Sequence, residues 1–204
     1  MEKIKIAVLV SGGGTNLQAL IDAERAGIIK SGKISLVLSN KGDAYALKRA
    51  EGAGVKTAVV LKKDYPSSAE FEENIIRVLE ENGIEFIVLA GFMSILSESF
   101  TSKYKDRIIN VHPSLIPSFC GKGFYGLRVH EAALQYGVKV SGATVHFVNE
   151  IADGGKIIMQ KAVDVMDGDT PEILQKRIME EAEWKILPLA CERVCSELLK
   201  NKEI

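Results

Sequence analysis

Short, nearly continuous apolar runs recur along the first half of the chain: IKIAVLV (4–10), KISLVLSN (33–40), VKTAVVL (55–61), EFIVLA (85–90) and RIINVH (107–112). They are rich in Val and Ile and too short for helices, so they read as strands buried on both faces. Between them lie stretches with helical spacing of apolar positions at 16–26, 44–53, 67–82 and 97–104. Such alternation predicts right-handed βαβ units and an α/β, doubly wound, mostly parallel sheet of Rossmann-like type. After residue 112 the pattern changes. An irregular segment, PSLIPSFCGKGFYG, leads to a helix at 127–136, and two longer strands follow at 139–148 and 156–165. The seven-residue link NEIADGG between them is too short for a parallel crossover, which predicts an antiparallel pair. Thr170 before Pro171 and Glu172 marks a helix start, and that helix should run towards Lys200 with Pro188 kinking or interrupting it. No repeat, linker or low-complexity tract divides 1–204, so a single domain is expected.

Composition narrows the function classes. A chain of 204 residues buries roughly 70% of its unfolded surface without staples. A net charge of -1 with no basic block argues against a nucleic-acid surface, but leaves room for a small anionic ligand. Cys120, Cys191 and Cys195 have no metal-type spacing, and His112, His130 and His146 are too scattered to suggest a ligand set; no metal is expected. The run Ile6 to Val10 is shorter than the roughly 7–15 residues of a secretory core, and no run approaches the roughly 20 of a membrane helix. A cytoplasmic location with no membrane partner is expected.

Three motifs carry chemistry. VLVSGGGTNLQAL puts Gly12, Gly13 and Gly14 between the first strand and the first helix, where free N–H groups and the positive end of the helix dipole favour an anion. Thr15 and Asn16 can add donors or cap the helix; the alternative is a tight turn without ligand. The loop lacks the third glycine and the later acidic residue of a dinucleotide site, and lacks a Gly-Lys-Ser/Thr sequence, so it suits a single phosphate. In INVHPSLIPSF, Asn110 and His112 lie two apart and share one face at the carboxyl end of the fifth strand. Ligands of open α/β sheets bind at that edge. The pair is either a structural turn or two donors for an oxyanion. Asp153, ahead of Gly154 and Gly155, is either an ordinary turn residue or a carboxylate that orients His112 and raises its pKa. Ile116–Pro117 is a candidate cis bond.

These stretches, with SNKGDAYALKRA, VLAGFMSIL and GATVHFVNEIADGGKIIMQKAV, make nearly the whole chain resemble the phosphoribosylglycinamide formyltransferases. The resemblance implies formyl transfer from 10-formyltetrahydrofolate, as co-substrate, to the amine of glycinamide ribonucleotide in purine biosynthesis. It implies catalytic roles for Asn110, His112 and Asp153, with Asp153 keeping His112 protonated. It assigns Gly12, Gly13, Gly14, Thr15, Asn16 and Glu183 to the ribonucleotide. Met93, Ser94, Ile95 and Leu96, together with Asn110 and the turn from Asn149 to Asp153, become the folate walls. It implies no metal, and a monomer or homodimer. The chain departs from the family pattern at Ser68 and Ser94, each standing where Arg is frequent, and at Trp184, a packing residue where His is frequent. The segment 118–130 is longer than in the shortest members. A formyltetrahydrofolate hydrolase and a non-catalytic sugar-phosphate binder are the alternatives. The hydrolases carry an extra N-terminal domain, for which no space is expected before Lys3, and the tRNA-formylating members add a C-terminal one.

Overall fold

The computed structural model describes residues 2–202. Seven strands form one sheet in the order β3-β2-β1-β4-β5-β6-β7. Strands β1 (Ile4–Val10), β2 (Gly32–Ser39), β3 (Lys56–Val59), β4 (Phe86–Leu89) and β5 (Ile108–His112) run parallel. Strands β6 (Val140–Phe147) and β7 (Ile157–Asp164) are antiparallel to each other, and β6 is antiparallel to β5. The expected antiparallel pair therefore extends the parallel sheet rather than standing apart from it.

Both faces are covered, which explains the continuous apolar runs. One face packs α1 (Thr15–Arg25), α2 (Tyr45–Gly52), α6 (Pro171–Ile178) and α7 (Trp184–Lys202) against Ile6, Val8, Val37 and Val145. The other packs α3 (Ser68–Glu81) and α4 (Glu98–Lys103) through Phe71, Ile75, Leu79 and Phe100 against Leu9, Leu38 and Ile87. Helix α5 (Leu127–Tyr136) follows the irregular segment after β5. Ser67, Ser97 and Thr170 each accept a bond from the N–H three residues on, stating the starts of α3, α4 and α6 in side-chain chemistry.

One expectation is corrected. Pro188 lies inside α7 and does not interrupt it; the irregularity comes earlier, in a π turn at Met179–Glu183. Pro188 lacks the N–H that would bond the carbonyl of Trp184, the first residue of α7, so the proline falls where the ladder is just restarting. The π turn directs Glu183 inward, where it is 6% exposed. Ile116–Pro117 is cis, as expected.

Candidate functional site

The glycine loop leaves β1 and is held from α2: Ala46 N donates to the Gly12 carbonyl at 3.0 Å and Arg49 Nε to that of Gly13 at 2.8 Å. Gly14 has φ 74°, and a Cβ there would stand 2.6 Å from Ala46 Cβ, so only glycine fits. Thr15 opens α1, yet neither it nor Asn16 caps the helix. The Asn16 amide instead donates to Glu183 Oε2 at 2.7 Å, joining the loop to the π turn. Burial pushes the Glu183 carboxyl up, and the Asn16 amide only partly offsets this. Asn16 Oδ1 is buried with no protein partner among the described residues. A half-satisfied amide and a buried carboxyl beside a glycine loop at a helix start suit a ligand with a phosphate and hydroxyl groups.

Strand β4 separates β1 from β5, so the glycine loop and the end of β5 stand about 10 Å apart along the same sheet edge. Asn110 and His112 project from one face of β5, as strand geometry requires. The register opposes Asn110 to His146 and His112 to Thr144 on β6, bringing a second histidine into the site. His146 Nδ1 donates to the Phe147 carbonyl at 2.7 Å. Its Nε2 lies 3.3 Å from Asn110 Nδ2 and 3.6 Å from Asp153 Oδ1. As a neutral ring it accepts from Asn110; as an imidazolium it faces Asp153. At least one Asn110 N–H remains for a ligand.

Asp153 has φ 55° and reaches back under the histidines, its Oδ2 3.5 Å from His112 Nδ1 and accepting from Gly121 N at 2.8 Å. Burial pushes its carboxyl up. The hydrogen bond with His146, the charge of His112 and the Gly121 N–H together outweigh that and hold it below the ordinary carboxylate value. The following Gly155 is forced by a close approach, since a Cβ there would meet the Phe147 carbonyl oxygen at 1.7 Å.

Asp153 acts on His112 in the expected direction, and burial opposes it. The ring is 4% exposed, and burial pushes its pKa below 6.5 by more than Asp153 and the Phe119 carbonyl raise it. Its Nε2 donates to the Phe119 carbonyl at 2.8 Å, which fixes the proton on that nitrogen. That N–H is a donor in either charge state of the ring.

The remaining assigned residues divide. Met93 (60% exposed) and Ile95 (73%) form an open apolar wall on the segment after β4, while Leu96 is buried in the core against α3 and α4 and backs that wall from behind. Ser94 Oγ accepts from Asn40 at 3.0 Å. Asn149 Oδ1 accepts from Ile151 N at 3.0 Å, shaping the turn that ends in Asp153. Sequence reasoning missed His146, Phe119 and Ser11, whose Oγ accepts from Met93 N at 2.9 Å. His146 had a signal: it lies seven residues before Asp153, in the strand expected to follow the site. Phe119 had none, because it acts through its backbone.

The formyl transferase family model matches residues 4–191, and the chain belongs to that family. It is 47% identical, over 95% of its length, to the trifunctional purine biosynthetic protein adenosine-3 of Gallus gallus, of which it spans only 19%. It is 41% identical to the phosphoribosylglycinamide formyltransferase of Haemophilus influenzae, covering 98% of this chain and 91% of that protein. Among solved structures, glycinamide ribonucleotide transformylase 1 from Symbiobacterium toebii superposes with a TM-score of 0.89 at 42% identity, covering 96% of this chain and 89% of that one.

Proposed function

We propose that this chain transfers the formyl group of 10-formyltetrahydrofolate to the amine of glycinamide ribonucleotide. The observation that carries the reading is one sheet edge holding both a phosphate-type loop and the Asn110–His112–Asp153 group, in a chain so similar to transformylases. The ribonucleotide phosphate meets the N–H groups around Gly12 to Thr15, and its hydroxyls meet Glu183 and Asn16. The folate lies against Met93 and Ile95 and the turn from Asn149 to Asp153.

The neutral amine attacks the formyl carbon, so the enzyme needs no nucleophile of its own. Negative charge then develops on the formyl oxygen. The free N–H of Asn110 and the Nε2–H of His112 donate to that oxygen, which takes the place of the Phe119 carbonyl. Asp153, ionised at neutral pH, lies 3.5 Å from His112 Nδ1 and favours an imidazolium there, which strengthens the Nε2–H donor whenever the ring carries that charge. It also lies where a water could relay the amine proton to the departing folate nitrogen. Donors set in place before the charge forms cost no reorganisation at the moment of reaction.

The test follows folate product with and without glycinamide ribonucleotide. Product that depends on the acceptor is expected; product formed without it identifies a hydrolase, and none in either case a binding module. Asn110→Ala and His112→Ala should each lower turnover by about 10²–10³. Near-normal turnover in both variants removes the oxyanion assignment.

A further inference from the structure

The wall segment 91–97 belongs to no helix or strand. Two of its backbone N–H groups have described partners, and both partners are side chains: Ser11 Oγ holds Met93 N, and Glu72 Oε1 holds Ser97 N at 3.0 Å. The second Glu72 oxygen accepts a short bond from the Ser97 hydroxyl. Glu72 is therefore a bidentate clamp on the one residue that ends the wall and caps α4, where Ser97 Oγ accepts from Phe100 N at 3.3 Å.

A carboxylate is an unexpected choice at this position. Glu72 follows Phe71 on the core-facing stripe of α3 and is only 6% exposed. Burying a charge there is costly unless hydrogen bonds compensate. A carboxylate has two acceptor oxygens for the N–H and O–H of a single residue; an amide has one acceptor and would have to reverse the second bond. Nothing in the proposed reaction uses Glu72 as an acid or base. What it holds is the end of the segment that exposes Met93 and Ile95.

We propose that Glu72 is a positioning residue of the folate subsite, keeping the segment 91–97 in its binding conformation before the ligand arrives. The proposal rests on the formyl-transfer reading. Without the clamp the irregular segment samples more conformations, and the folate must order it on binding, which weakens folate affinity and leaves the ribonucleotide loop untouched.

Glu72→Ala should raise KM and Kd for 10-formyltetrahydrofolate by about tenfold or more, the range of a lost charge-assisted hydrogen bond, while KM for glycinamide ribonucleotide holds. Glu72→Gln should recover part of the loss. In the ligand-free protein, hydrogen exchange at amides 92–97 should quicken in the alanine variant and less so in the glutamine variant. Unchanged folate affinity overturns the proposal. So does a parallel rise in both KM values with a fall in melting temperature, which marks a purely structural role. If the alanine variant does not fold, the glutamine variant carries the comparison by itself. Calorimetric Kd separates the two readings: wild-type protein that binds the folate but transfers nothing overturns only the reaction, and protein that binds no folate overturns both.

Discussion

His130 gives a pH dependence that can be worked out in advance. It sits on α5, is 0% exposed, and neither ring nitrogen has a hydrogen-bond partner among the described residues. Burial, with a smaller contribution from the charge of His112, pushes its pKa from 6.5 to about 4. The folded state therefore disfavours the proton that the unfolded chain binds readily. At pH 7.5 neither state carries it and the group costs nothing. As pH falls through 6.5 the unfolded chain is favoured, and the loss of stability reaches about 2 kcal/mol at pH 5. It levels off at about 3.4 kcal/mol, about 1.36 for each pH unit between the two values, once pH is well below about 4. The assay is urea unfolding at pH 7.5 and pH 5 for wild type and His130→Leu, which keeps similar bulk without an ionisable group. Wild type should lose about 2 kcal/mol more than the variant between the two pH values. Parallel losses in the two proteins would refute the reasoning, because they would mean the imidazole is solvated or charged in the fold.

Two further outcomes follow from the site. The His112 ring should titrate below 6.5 by NMR, since burial outweighs Asp153 and the Phe119 carbonyl, and Asp153→Asn should move the midpoint lower by removing a favourable charge; a wild-type midpoint above 6.5 contradicts this. Gly155→Ala should destabilise the protein by about 2 kcal/mol or more in urea unfolding, because its Cβ cannot stand 1.7 Å from the Phe147 oxygen without shifting the turn. Gly42→Ala, with nothing within 4 Å, serves as the control and should stay near wild type.

The strand–helix alternation was legible because burial on both faces leaves unbroken Val- and Ile-rich runs, and each run of the parallel half became a strand within a few residues of its expected bounds. The glycine loop and the Asn110–His112 pair were legible for a local reason: a turn and a two-residue period are written in adjacent positions. Pro188 leaves α7 unbroken because a proline's effect depends on whether the carbonyl four residues back needs its N–H, and here that carbonyl belongs to Trp184, where α7 begins after the π turn. For His112 the raising effect of a neighbouring carboxylate was legible in the sequence, and the opposing effect of burial was not, because depth is a tertiary property. Cross-strand register brought His146 beside Asn110, a left-handed turn brought the Phe119 carbonyl to His112, and packing of α3 brought Glu72 to Ser97. Local chemistry is set by the order of residues along the chain. Which distant groups share a low-dielectric space, and so which charges survive there, is decided only when the sheet closes over them.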